Sequence, residues 1–241
     1  MTTSQDLPVA ESLPEGEEKV AAVRNLFDTI APRYDLVNRI MTFRMDVGWR
    51  RRTVRELRLG RGSVVADLAA GTGDFCRELQ DQGLDPVGFD LSYGMLAAAR
   101  TTAPLAQADA LQLPLGDGAI DGVTCGFALR NFRALDPFFA EVARVVRPHG
   151  RIAFLEVAEP ANPVLRWGHG IYFGKAVPLI GGLLSDAPSY RYLPKSVAYL
   201  PPPDEMLDSL RAHGFDDVER TLLSTGISQL ITATRSPTGT R

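Results

Sequence analysis

A chain of 241 residues, 45% hydrophobic and 23% charged, has an ordinary globular make-up and the length of one large α/β domain. Its formal net charge of −3 lacks the basic footprint of proteins that bind nucleic acid, and its two cysteines, Cys76 and Cys125, are too far apart for a disulfide framework or a zinc site. The first residues show no basic-then-apolar signal pattern, and no apolar run reaches the ~18 residues that a membrane span needs, so a cytoplasmic location is expected.

Residues 1–19 set Asp6, Glu11, Glu15, Glu17 and Glu18 against Lys19 with few large apolar side chains, which predicts a disordered acidic tail. Val20, Val23, Leu26, Phe27 and Ile30 then recur at helical spacing until Pro32 interrupts them, and Val37, Ile40 and Met41 predict a second, short helix. In GWRRRTVRELRL (48–59), Trp49, Thr53, Val54 and Leu57 make one face, while Arg50, Arg51, Arg52, Arg55 and Arg58, with Arg61 nearby, make the other. Such a face is ordinarily solvated, and contact with anionic lipid head groups is the sharper alternative. Residues 20–62 are therefore expected to form an N-terminal helical cap.

From residue 63 strands and helices alternate: SVVADLAA, DFCRELQDQG, DPVGFDLS, YGMLAAAR, LAQADA, AIDGVTCGFAL, ALDPFFAEVARVVRPHG and RIAFLEV. Alternation of this kind predicts parallel βαβ units, here over 63–158, with the helix before RIAFLEV ended by Pro148 and Gly150. Residues 204–235 read as a helix followed by two consecutive strands, an antiparallel finish, and 236–241 as a flexible tail. The segment 159–203, rich in Pro, Gly and aromatics, reads as an insertion covering the sheet. The expected fold is α/β, a doubly wound, mostly parallel seven-stranded sheet of Rossmann-like type with an antiparallel last strand.

ADLAAGTGDF (66–75) sets Gly71 and Gly73, with Thr72 between them, after a strand and before a helix, where open α/β sheets bind ligands. The third position of a dinucleotide fingerprint is Cys76 instead of Gly, which argues against a nicotinamide-dependent reductase and for a ligand without a pyrophosphate. Asp90, about 20 residues on, is placed to accept both ribose hydroxyls of an adenosine. Asp109 is placed to accept from an adenine amino group, with Ala110 leaving space for the ring. Acids are seldom buried without partners, so Asp67, Asp90 and Asp109 at successive strand ends call for a ligand with donors. Asp67, Gly71, Gly73, Asp90 and Asp109, in that order, resemble the S-adenosyl-L-methionine site of class I methyltransferases. EVARVVRPHGRIAFLE resembles the helix, turn and strand those enzymes carry next.

The resemblance narrows with VRNLFDTIAPRYDLVNRIMTFRMDVGWRR, FALRNF and GGLLSDAPSYRYLPKSV. These resemble, in family order, the signature segments of the ubiquinone/menaquinone biosynthesis C-methyltransferases, and the match covers about residues 20–233. The resemblance implies S-adenosyl-L-methionine as cofactor, no metal, and a prenylated quinol as acceptor, most simply demethylmenaquinol. It also implies a quinol site lined by Tyr34, Arg130 and Asn131, in which Arg130 acts as a fixed positive charge rather than a base, because arginine stays protonated. Asp35 is a further candidate, equally readable as a helix cap or as a partner of Arg33 or Arg39. A lipophilic acceptor gives the arginine face some weight as a peripheral membrane contact and makes 159–203 a greasy lid. Gly126 and Ala128, where cofactor and ring should approach, depart from the family's usual small-polar and glycine residues. They leave open a methyltransferase for another lipophilic phenol. A noncatalytic S-adenosyl-L-methionine-binding component of a quinone-pathway complex also stays open, as does the oligomeric state, a homodimer included.

Overall fold

The computed structural model describes residues 16–160, 162–172 and 196–237. Its helices are α1 (Gly16–Ile30), α2 (Tyr34–Met41), α3 (Met45–Glu56), α4 (Asp74–Asp81), α5 (Tyr93–Ala97), α6 (Leu135–Val145), α7 (Pro163–Ile171) and α8 (Pro203–Ala212). Its strands are β1 (Val64–Leu68), β2 (Asp85–Asp90), β3 (Leu105–Gln107), β4 (Ile120–Gly126), β5 (Val146–Val157), β6 (Phe215–Leu223) and β7 (Ser228–Arg235). They form one seven-stranded sheet in the order β3-β2-β1-β4-β5-β7-β6. Pairing is parallel from β3 to β5, and β7 runs antiparallel to both β5 and β6. The expected doubly wound sheet with its antiparallel last strand is therefore present. The chain leaves β1 toward β2 on one side and later places β4 on the other. This reversal opens a crevice at the C-terminal ends of β1 and β4.

Both faces of the sheet are covered, as parallel strands require. Phe138, Phe139 and Val142 of α6 pack with Phe154, Ile152 and Ile231 on one side. Trp49, Val54 and Leu57 join Phe75, Leu79, Val65 and Leu155 on the other. Helix α3 is thus part of the layer on the sheet, while α1 and α2 share a smaller cluster with Met95 of α5.

Some expectations need correction. Helix α1 starts at Gly16, inside the predicted tail, and Lys19 is buried there, its Nζ donating to the Phe132 carbonyl at 2.7 Å and lying 3.7 Å over the Tyr199 ring. Residues 1–15 lie outside the described residues. Helix α6 stops at Val145, before Pro148: Val146 is already extended (φ −80°, ψ 126°) and pairs with Ile120. Residues just before a proline avoid the helical region, so Arg147 helps end the helix early. On α2, Val37 and Met41 are buried as expected, but Ile40 is exposed and Asp35 is buried as well. Of the predicted insertion, α7 and a 3₁₀ turn at Val197–Tyr199 are seen. The segment 173–195, with its SYRYL block, lies outside the described residues, as do the last residues from 238.

Candidate active site

The loop after β1 turns through left-handed backbone at Ala69 (φ 53°), Gly71 (φ 56°) and Gly73 (φ 81°). At Gly73 a Cβ would lie 2.6 Å from Thr101 Cγ2, so no larger residue fits. The loop is tied to the end of β2 through Asp90, whose Oδ2 accepts from the Gly71 amide and Oδ1 from the Ser92 amide, both at 2.8 Å. Burial raises the Asp90 pKa, and the Ser92 and Gly71 amides oppose the rise. Ser92 caps α5 by accepting from the Met95 amide at 3.1 Å and donates to Asp28 Oδ1, which fastens α1 over the loop.

Beneath α1 lies a cavity of about 300 Å³ lined by Asp90, Gly71, Asp109, Ala110, Gly126, Tyr34 and Asn131, with Val20, Val23 and Phe27 from α1. Asp109 Oδ1 accepts from the Leu111 amide at 2.9 Å, which fixes its carboxyl at the rim, and Ala110 is buried behind it. An acid at the strand end, a glycine cradle and an apolar slot in one space fit an adenosine-bearing cofactor such as S-adenosyl-L-methionine.

Asp67 and Thr72, both expected to touch that ligand, do not line this cavity. Asp67 is buried under the loop, with Oδ1 accepting from Thr124 Oγ1 at 2.9 Å and Oδ2 from Cys76 Sγ at 3.6 Å. Thr72 is buried and donates its hydroxyl to Asp35 Oδ1. This bond also decides the role of Asp35, which locks α2 to the loop. Cys76 stands where a dinucleotide fold has its third glycine, and the close approach of helix and strand is provided instead by Gly88 of β2, where a Cβ would lie 3.1 Å from Cys76 Sγ.

Burial pushes the Asp67 pKa up to about 7, opposed by the Thr124 and Cys76 hydrogen bonds. The folded state then holds this proton more tightly than the unfolded chain, so the linked stability is present at low pH and is lost as pH rises from about 4 through 7. The difference reaches at most about 4 kcal/mol. Asp67→Asn, which cannot ionise, should melt several degrees above the wild type at pH 8, and the gap should narrow toward pH 5. A gap independent of pH in thermal melts would contradict this.

A second cavity of about 420 Å³ adjoins the first, and the two share Tyr34, Phe27, Gly71, Gly126 and Phe127. Its polar side chains include those of Tyr34, Asn38, Thr42, Asp46, Arg50, Thr72, Asp74, Arg130 and Thr225, and most of the remaining wall is apolar, including Met41, Phe43, Met45, Trp49, Val157 and Leu165. Burial raises the Tyr34 pKa, with a hydrogen bond from Asn38 and the Arg130 charge opposing, so the phenol stays protonated near neutral pH. Arg130 is buried and pairs through NH1 with Glu156, a fully buried acid of β5, while its Nε donates to Ser196 Oγ at 3.0 Å. Arg50 bridges Asp46 at 2.5 Å and Asp74 at 2.9 Å.

Arg130 and Asn131 therefore part company: Arg130 lines the second cavity, Asn131 the first. They belong to a 3₁₀ turn, Leu129–Asn131, in which successive side chains point about 120° apart. Glu156, Arg50, Asp46 and Asp74 were missed by sequence reasoning. A Glu inside the apolar run RIAFLEV was a signal for the first; nothing local marked the others. Gly126 is explained by Phe75, whose Cε2 would lie 2.4 Å from a Cβ there. Ala128 has φ −122°, a conformation open to any residue, so no glycine is needed. Several arginines of the face that starts on α3 are met by acids: Arg51 by Glu78 at 3.7 Å, Arg52 and Arg58 by Glu56 at 3.9 and 3.1 Å.

Comparison with known proteins agrees with this geometry. The demethylmenaquinone methyltransferase of Roseiflexus castenholzii is 39% identical over 228 residues, covering 91% of this chain and 96% of the relative. The ubiquinone/menaquinone biosynthesis C-methyltransferase UbiE of Syntrophotalea carbinolica is 39% identical over 227 residues, 90% of this chain and 95% of the relative. Among solved structures, a methyltransferase in complex with the Trm112 activator of Haloferax volcanii superposes with a TM-score of 0.63 at 17% identity, covering 87% of this chain and 97% of that one, a likeness of fold. The profile of the ubiE/COQ5 methyltransferase family matches residues 15–235, and the chain belongs to that family.

Proposed function

We propose that this S-adenosyl-L-methionine-dependent methyltransferase of quinone biosynthesis methylates a ring carbon of a prenylated quinol, converting demethylmenaquinol to menaquinol. The observation that carries the reading is the pair of adjoining cavities, one with a strand-end acid over a glycine loop, the other apolar with polar groups gathered about Tyr34. Bound in the first, the cofactor supplies a methyl group activated on a sulfonium. Asp90 and the Gly71 turn hold it at the ribose, Asp109 and Ala110 at the adenine, and Asn131 completes that wall. In the second cavity Tyr34 donates a hydrogen bond to a ring oxygen, and Arg130, held by Glu156, supplies fixed positive charge where phenolate develops. Asp46 and Asp74 are the carboxylates lining that cavity that can take up the one proton released overall. The phenolic proton leaves as the ring carbon takes the methyl, and the hydrogen of that carbon then returns to the oxygen as the ring regains aromaticity. The apolar remainder takes the start of the isoprenoid tail, and contact with a membrane surface belongs to the same reading.

Incubation with S-adenosyl-L-methionine and short-chain demethylmenaquinol under reducing conditions should give the methylated naphthoquinol by mass spectrometry, faster than the matching benzoquinol. Tyr34→Phe is expected to lower kcat by about 10²-fold. An enzyme that binds the cofactor but methylates neither ring would defeat the proposal.

A further inference from the structure

Lys19 is a buried cation that methyl transfer, as derived so far, does not use. It lies on α1 one turn before Val23, and Val20, Val23 and Phe27 of that helix roof the first cavity. Lysine is rarely buried, because its ammonium gives up hydration. An unbranched apolar side chain such as methionine would fill the same space without that cost. The groups that meet the ammonium show what the charge does.

The Lys19 Nζ donates to the Phe132 carbonyl at 2.7 Å and lies 3.7 Å over the Tyr199 ring. Phe132 directly follows the 3₁₀ turn Leu129–Asn131, which gives Arg130 to the second cavity and Asn131 to the first. Tyr199 ends the 3₁₀ turn Val197–Tyr199, which starts directly after Ser196, and the Ser196 hydroxyl accepts from Arg130 Nε at 3.0 Å. One ammonium thus joins the roof over the cofactor cavity, the turn that carries Arg130 and the segment that carries a partner of Arg130. A second tie between α1 and this region, Glu17 to Arg133, is exposed on both sides, where an ion pair contributes little. The far end of α1 is fastened separately by Asp28, whose Oδ1 accepts from the Ser92 hydroxyl and, at 2.9 Å, from the Gly94 amide. Loss of the Lys19 charge therefore leaves α1 seated and frees the turn.

We propose that Lys19 is a positioning residue for methyl transfer, holding the Arg130 guanidinium in place by fixing the turn behind it and the Ser196 segment beside it. What Arg130 acts on rests on the quinol reading, whereas proton exchange at Arg130 is measured without an acceptor, so the two ideas fail separately.

The experiment follows hydrogen exchange of the Arg130 Nε–H by NMR in the full chain, the resonance being identified by its absence from Arg130→Met/Glu156→Leu. In Lys19→Met this proton should exchange at least about tenfold faster than in wild type, while the Arg235 Nε–H, which donates to the Ala143 carbonyl at 2.9 Å elsewhere in the fold, should keep its rate within about twofold. On short-chain demethylmenaquinol Lys19→Met should lower kcat about 10–10²-fold and leave the cofactor Kd within about threefold of wild type. Added to Arg130→Met/Glu156→Leu, the same change should lower kcat by less than about twofold, because the group it positions is already gone. Tyr199→Leu, which removes the ring and keeps the ammonium, should move exchange and kcat in the same direction by a smaller factor, and it carries the test if Lys19→Met does not fold. An unchanged exchange rate at Arg130 would overturn the proposal, whatever the enzyme methylates. So would equal acceleration at Arg130 and Arg235, which marks a general loss of stability, or a kcat loss as large without Arg130 as with it, which marks action through another group.

Discussion

Glu156→Leu is expected to destabilise the protein by about 3–5 kcal/mol, and adding Arg130→Met to it should restore most of that loss while leaving the enzyme nearly inactive. Both side chains are buried and joined by an ion pair. Removing one partner leaves a bare charge in low dielectric, whereas replacing both by apolar residues of similar volume is often neutral or stabilising. The pair is therefore a poor investment if stability is its only purpose. If Arg130 serves to stabilise a developing phenolate, kcat of the double variant should fall by about 10²–10³-fold, and Arg130→Met alone should be both unstable and inactive. Thermal melts and turnover on short-chain demethylmenaquinol check this. A double variant that turns over normally would reduce Arg130 to a structural group, and one as unstable as Glu156→Leu would show that the pair is structural after all.

The sheet could be read from the chain because its signals are local. β-branched runs, glycine stops and the change from one period to another sit within each segment, and even the antiparallel finish follows from two strands in succession. Asp90 could be read for a similar reason, since the glycine loop and the next strand end fix its place. Asp67 shows what such reasoning cannot separate: it also sits near a strand end beside the loop, yet it faces Thr124 and Cys76 beneath it. Arg130 and Asn131 are neighbours in sequence, and only the 3₁₀ turn sends them to different cavities. The α3 arginines look like one charged face until Glu78 and Asp74, brought in by another helix, take up Arg51 and Arg50. For Asp67 and the α3 arginines the deciding partners, Thr124, Asp74 and Glu78, come from other elements of the fold, where no local pattern reports them.

Asp90→Ala should raise the Kd for S-adenosyl-L-methionine at least tenfold, about 1.4 kcal/mol, and Asp90→Asn should bind no better. Two ribose hydroxyls donating to one carboxylate are worth about 1.5–3 kcal/mol each, so the loss can exceed the tenfold floor considerably. The asparagine is the sharper variant. Asp90 Oδ2 already accepts from the Gly71 amide and Oδ1 from the Ser92 amide, so whichever way an amide side chain is turned, its NH₂ group meets a backbone N–H. Asparagine therefore loses an acceptor for the ribose and loosens either the glycine loop or the start of α5. Asp67→Asn makes the control, because its carboxyl lies under the loop and touches neither cavity; its Kd should stay within about threefold of wild type, well inside one factor of ten. Isothermal titration on the three variants decides between the two acids. Wild-type affinity in Asp90→Asn, or a larger loss in Asp67→Asn than in Asp90→Ala, would move the ribose site from the end of β2 to the end of β1.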